Sequence, residues 1–323
     1  MLLVPPPFDP ELGAALAAVG PSVPSGPTLA DIAALRAVQR AAVPAYDLTD
    51  GGAFTTTDLT VPGPEGAPGI PLLVIRPAAP AARGPRPVIY HCHGGGMVLG
   101  TNRAGVEVVL EWARELDAVV VSVEYRLAPE HPYPAGVEDV YAGLVWTARH
   151  AGELGGDPER IVIAGASAGG GLTAALALLA RDREGPRPLG QVLMYPMLDD
   201  RNDSVSAHQM AGVGAWDRTA NETAWTAVLG AARGGPDVPA YAAPARATDL
   251  SGLPPAFLDV GSAETFRDET VDYAARIWQA GGVAELHVWP GGFHGFDAFA
   301  PHTVLARTAR AARLDWLRRL LTP

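Results

Sequence analysis

Gly165-Ala166-Ser167-Ala168-Gly169 follows the apolar run Ile161-Val162-Ile163-Ala164 and precedes an Ala- and Leu-rich stretch, residues 170–181. Strand, tight turn and helix in that order predict a nucleophile elbow, a bend sharp enough to lift the serine Oγ clear of the sheet. Glycine is needed two positions to either side, because a Cβ there would collide with the neighbouring strand or helix. The bland alternative is a glycine-rich turn, and the flanking strand and helix patterns weigh against it.

The same rhythm repeats outward from the elbow. Upstream, residues 88–92 read as a buried strand, 103–116 as a helix, 118–123 as a strand and 137–150 as a helix. Downstream come strand 191–195, strand 256–260, helix 267–280, strand 284–289 and an amphipathic helix over 303–321. Strands that alternate with helices predict crossover connections, a mostly parallel sheet and helices on both faces, an α/β fold. Residues 54–61 and 70–75 alternate apolar and polar with Pro and Gly between them, so the sheet starts antiparallel.

Two regions break the rhythm. Residues 1–50 carry two short Ala-rich helical patterns, the first opened by Asp9-Pro10 and the second capped by Thr28-Leu29-Ala30-Asp31 and running to about Val43. Neither is stable without a partner surface. Residues 197–239 are rich in Asp, Asn and Gly, with one helical piece over 219–229. These expectations divide the chain into N-terminal cap helices, 1–50, and a catalytic domain, 51–323, with a cap insertion at about 197–239.

Composition excludes several functions. The chain has 323 residues, 48% of them hydrophobic, enough for one large domain with a sizeable core. A net charge of −11 disfavours nucleic acid and anionic membrane surfaces as partners. All 24 basic residues are arginine, so lysine-dependent phosphate loops and Schiff bases are excluded. Cys92 is the only cysteine, so no intrachain disulfide forms. No run reaches the roughly 18 apolar residues of a membrane span, and the N-terminus lacks a basic signal-peptide start, so a cytoplasmic protein is expected.

A serine hydroxyl is a weak nucleophile until a base takes its proton, and histidine is the usual base. Of the eight histidines, His294 stands out: Pro290-Gly291-Gly292-Phe293-His294-Gly295-Phe296 follows the last strand, at the same carboxyl end of the sheet as Ser167. His150 and His302 read as helical, His208 falls in the insertion, His287 in a strand and His131 in a Pro-rich turn. Elbow-type sites run Ser, acid, His along the chain. The acid is therefore sought in Gly261-Ser262-Ala263-Glu264-Thr265-Phe266-Arg267-Asp268-Glu269, after strand 256–260. Glu264 lies nearest the strand and is preferred; Asp268 is the alternative, placed with Glu269 in a first helical turn, where acids suit the dipole.

A tetrahedral intermediate needs N–H donors aimed at its oxyanion. His93-Gly94-Gly95-Gly96 follows strand 88–92, and Gly95, Gly96 and Ala168 are the expected donors, with His93 holding the loop. His91 and His93 share a strand face, but no third ligand at metal spacing accompanies them, so no metal is expected. Neither glycine run has G-x-G-x-x-G, which weighs against a dinucleotide cofactor.

With these motifs, together with Glu124-Tyr125-Arg126-Leu127-Ala128-Pro129-Glu130-His131-Pro132-Tyr133-Pro134, Arg267-Asp268-Glu269 and His294-Gly295-Phe296, residues 85–300 resemble the hormone-sensitive-lipase-like (bacterial family IV) esterases of the α/β-hydrolase superfamily. The resemblance implies an eight-stranded core under a helical cap and a serine carboxylesterase that acts on small-molecule esters with short to medium acyl chains. It implies no cofactor and hints at a homodimer through the sheet edge. The family's catalytic triad falls on Ser167, Glu264 and His294, and its oxyanion hole on Gly95, Gly96 and Ala168. Three departures stand out: Ala166 where Asp often precedes the nucleophile, Glu264 where Asp is usual, and Met97 where an aromatic often follows the glycines. Met97 and Trp216 are the expected substrate-pocket residues. An amidase or lactonase using the same triad, or a ligand receptor on the same fold, are the alternatives.

Overall fold

The computed structural model describes residues 3–19, 28–42, 46–81 and 84–322. The expected end of the second helix at Val43 lies outside the described residues. Two helices come first, α1 (Pro10–Val19) and α2 (Ile32–Ala42), the latter led in by a 3-10 turn at Leu29–Asp31 with a Thr28/Asp31 capping box. Then follow β1 (Phe54–Val61), β2 (Ile70–Pro77), β3 (Arg86–Cys92), α3 (Val106–Leu116), β4 (Val119–Val123), α4 (Ala135–His150), β5 (Gly156–Ala166) and α5 (Ala168–Asp182). β6 (Gly190–Met194), α6 (Val205–Gln209), α7 (Arg218–Leu229), β7 (Ala256–Gly261), α8 (Arg267–Gln279), β8 (Ala284–Trp289), α9 (Phe296–Phe299) and α10 (Val304–Leu321) complete the order.

The eight strands form one sheet in the order β1-β2-β4-β3-β5-β6-β7-β8. β1/β2 and β2/β4 are antiparallel, and every other pair is parallel. Alternation along the strands divides the core in two. Val88, Tyr90 and Cys92 of β3 face α4, α5 and α8, whereas Ile89 faces α3 and α10. Both faces are covered, so the central strands are apolar on both sides, as a parallel sheet requires.

Strand order also positions the site. From β3 the chain moves to β4 on one side and returns to β5 on the other, so β3 pairs with both. Such a reversal opens a crevice at the carboxyl ends of the two strands, where α/β proteins bind ligands. His93–Gly96 leaves β3 there, and Ser167 leaves β5.

The two irregular regions meet over this rim. Ile32 of α2, Ala224, Trp225 and Val228 of α7, Val98, Ala168 and Phe266 form one buried apolar cluster. Arg36 of α2 ties it further: Nε donates to the Val98 carbonyl at 2.7 Å and Nη2 to the Ala128 carbonyl at 2.6 Å. Sequence patterning missed the short helices α6 and α9, because four or five residues carry too little periodicity to register.

Candidate active site

Ser167 sits between β5 and α5 with φ 59° and ψ −122°, a strained conformation for a residue with a Cβ. The geometry of the turn explains both glycines. A Cβ on Gly165 would lie 2.2 Å from the Gly169 carbonyl oxygen, and one on Gly169 would lie 2.0 Å from that of Cys92. Backbone bonds hold the bend: Ser167 N–H donates to Met194 O at 2.9 Å, and Gly171 N–H to Ser167 O at 3.0 Å.

The glycine run passes directly against this elbow, where a Cβ on Gly94 would touch the Ala166 carbonyl at 3.0 Å and the Ser167 Cβ at 3.5 Å. Gly95 (φ 111°) and Gly96 (φ 64°) occupy the left-handed region. Val98 and Leu99 both donate to the Gly95 carbonyl, at 3.0 and 2.8 Å, which closes the loop on itself. Ala168 opens α5, and a first-turn N–H has no partner within its own helix. Gly94 thus borders the Ser167 side chain, Gly95 and Gly96 continue the run from it, and Ala168 follows Ser167 in the chain. His93 is fully buried, stacks on Tyr125 with centroids 4.1 Å apart, and pairs Nδ1 with the Gly94 carbonyl at 2.8 Å. Burial lowers its pKa to about 4, so it is neutral and holds the loop.

His294 reaches the serine from the loop after β8: Nε2 lies 2.9 Å from Ser167 Oγ, and Nδ1 lies 3.0 Å from Glu264 Oε1. Glu264 Oε2 accepts from the Gly261 N–H at 3.0 Å, which fixes the carboxylate in the turn that carries it. A carboxylate at Nδ1 requires the proton there and leaves Nε2 as the acceptor facing the hydroxyl. All three side chains are buried, Ser167 and His294 each keeping 8% exposure at the cleft.

Asp268 and Glu269 lie in the first turn of α8 and face elsewhere. Asp268 Oδ2 accepts from Ser206 N–H at 2.7 Å, and Glu269 Oε1 from Leu198 N–H at 2.7 Å. Burial pushes the Glu269 carboxyl well above the usual range.

Trp216 packs on the glycine run: a Cβ on Gly96 would lie 2.7 Å from its Cη2. Its ring centroid is 6.4 Å from that of His294. Met97 lines a cavity with Leu172, Tyr133 and Val228. Two further aromatics, Tyr195 and Phe266, each meet the His294 ring edge-on with centroids 5.0 Å apart. Sequence reasoning missed both as site residues. The available signal was position: each directly follows a strand or its loop at the carboxyl edge.

The remaining histidines have other partners. His91 is buried and bonded to Ser122 Oγ at 2.9 Å, and burial lowers its pKa to about 3. His208 pairs with Asp203, His287 with Glu285, and His150 stacks on Trp146. His302 falls in the turn ahead of α10, not on a helix. No described helix is long and apolar enough to cross a membrane.

Comparison with known proteins agrees with this fold. Residues 89–298 match a family model described as the alpha/beta hydrolase fold. Carboxylesterase NlhH of Mycobacterium tuberculosis is 40% identical over 261 residues, covering 80% of this chain and 81% of that protein. A bacterial heroin esterase superposes with TM-score 0.89 at 39% identity, covering 98% of both chains. Esterase LipW of Mycobacterium marinum does so with TM-score 0.86 at 33% identity, covering all of both chains. The chain belongs to the α/β-hydrolase family, on its hormone-sensitive-lipase-like esterase branch.

Proposed function

We propose that this protein is a serine carboxylesterase in which Ser167, His294 and Glu264 form the catalytic triad. The observation that carries the reading is His294, within hydrogen-bond reach of both Ser167 and Glu264 at 2.9 and 3.0 Å. Ser167 Oγ attacks the acyl carbonyl while His294 Nε2 takes its proton, and Glu264 stabilises the imidazolium. The carbonyl oxygen becomes an oxyanion held by the N–H groups of Gly95, Gly96 and Ala168. The intermediate collapses, His294 gives its proton to the departing alkoxide, and the alcohol leaves an acyl-enzyme. Water, deprotonated by His294, repeats the sequence and releases the acid with Ser167 restored.

Residues 1–50 and about 197–239 act as the cap, supported by the apolar cluster shared by α2, α7, Ala168 and Phe266. Met97 and Trp216 shape the pocket for a small-molecule ester with a short to medium acyl chain. The setting is the cytoplasm, without nucleic acid, as a homodimer through the sheet edge.

The test is a panel of p-nitrophenyl esters, amides and lactones assayed with the wild type and with Ser167→Ala. Ester hydrolysis that falls about five to six orders of magnitude in turnover on that substitution supports the reading. Preferential turnover of amides or lactones moves it to the same triad with another substrate. No turnover of any substrate moves it to a ligand receptor.

A further inference from the structure

A buried charge cluster lies behind the imidazole. Arg313 of α10, Asp259 of β7 and Asp297 of α9 are all fully buried. Arg313 Nε donates to Asp259 Oδ2 at 2.8 Å, and its Nη1 bonds Asp297 Oδ2. Trp289 Nε1, at the end of β8, donates to the same Asp259 oxygen at 3.0 Å. Burial opposes the Arg313 charge, but the two carboxylates more than offset this and raise its pKa.

The segments joined here are the ones that carry the site. Asp259 lies in the strand that leads into the Glu264 turn, and Asp297 lies three residues past His294, in α9. Tyr195, just past β6, completes the link: its hydroxyl lies beside the Asp297 carboxylate, and its ring meets the His294 ring at 75° with centroids 5.0 Å apart. The Arg313 guanidinium sits over that same tyrosine ring, 5.7 Å from its centroid. Tyr195 holds φ 36°, unusual for a residue with a side chain, and its N–H is pinned to the Asp259 carbonyl at 2.6 Å.

Apolar packing of equal volume would hold these segments together as well or better, since buried ion pairs seldom add net stability. What charge adds is direction. We infer that Arg313 is a positioning residue for the hydrolysis proposed above, acting through Asp297 and Tyr195 to fix the His294 ring relative to Ser167. The inference rests on that reading of Ser167 and His294. It adds a layer behind the triad whose members touch neither substrate nor reacting atoms.

The experiment compares the wild type with Tyr195→Phe, Arg313→Lys and Arg313→Met on p-nitrophenyl butyrate. Rates are expressed per active site titrated with a fluorophosphonate, so that misfolded protein drops out. Arg313→Met lowers kcat by about 10²-fold with KM nearly unchanged, the cost of a small misplacement of a reacting group. Arg313→Lys recovers part of the loss. Tyr195→Phe removes only the hydroxyl beside Asp297 and lowers kcat by about threefold to tenfold, the weight of one polar contact. If Arg313→Met does not fold, the other two variants carry the test. Unchanged kcat per titrated site in both, or a change confined to KM or to melting temperature, overturns the inference. A wild type that takes up no fluorophosphonate overturns the hydrolase reading first, a separate result.

Discussion

The rim of the sheet and the helical segments above it are built on opposite terms. At the rim, backbone meets backbone. A Cβ on Gly169, or on Gly261 facing Gly292, would lie 2.0 Å from a carbonyl oxygen, so no side chain fits. Above the rim, α2 and α7 meet the site through Ile32, Trp225 and Val228 in an apolar cluster. Apolar contact has no direction, and such clusters accept volume-conserving changes at modest cost. The contrast shows a division of labour. On the function proposed above, the reacting groups are placed by close-packed main chain, and the choice of substrate is left to side chains.

Breaking the rim has the larger effects. Glu264→Gln keeps the length but removes the charge that sets the His294 tautomer, and lowers kcat by about 10⁴-fold. Asp268→Asn measured beside it sharpens the assignment. A larger loss at Asp268 than at Glu264 would return the acid to α8. Next comes Gly95→Ala, which forces a side chain into φ 111° with its Cβ 2.3 Å from the Leu99 carbonyl. Displacing one oxyanion donor costs about 10²–10³ in kcat.

Breaking the upper segments costs less and shows in a different constant. Arg36 donates to the Val98 and Ala128 carbonyls from a side chain that is 14% exposed. Its pair with Glu130 contributes little, because that carboxylate is 57% exposed. Arg36→Gln raises KM about tenfold, the weight of one charged-group hydrogen bond, with kcat held within about twofold. An equal fall in kcat would mean that α2 takes part in the chemistry and not only in admission.

Buried His91 beneath the rim leaves catalysis aside and shows only in stability at low pH. His91 titrates near 6.5 when unfolded and near 3 when folded, so the unfolded chain binds more protons between those values. Stability from this group is complete above about 6.5 and is lost as pH falls toward 3. His91→Asn flattens the stability slope of the wild type in that window by up to about 1.4 kcal/mol per pH unit. Buried Glu269, whose carboxyl is shifted upward, opposes the slope in both proteins and cancels from the comparison. Parallel slopes by denaturant titration would contradict the neutral, buried assignment of His91.

The same contrast decides what was legible in the sequence. The rim was readable because its constraints fall on single residue types: glycines around Ser167 and at 94–96, and a histidine immediately past β8. All eight strands were read with ends within a few residues, except that β5 starts at Gly156, ahead of the apolar run at 161–164. Its first residues are polar and pair with β3 only at Arg86, across a register shift, so no apolar pattern marks them. The regions above the rim were placed as helices, but their contacts were not readable. The Arg36 ties span 62 and 92 positions, and no local spacing encodes them. The Arg313 cluster was silent for the same reason, its ion pairs spanning 54 and 16 positions.

The central claim is that His294, held by Glu264, activates Ser167, and the most direct measurement is the rate and site of covalent labelling by a small fluorophosphonate. The expected result is one adduct per chain, on the peptide that contains Ser167, with the labelling rate falling steeply in His294→Ala. An adduct on another residue, or a Ser167 rate indifferent to loss of the imidazole, would contradict it.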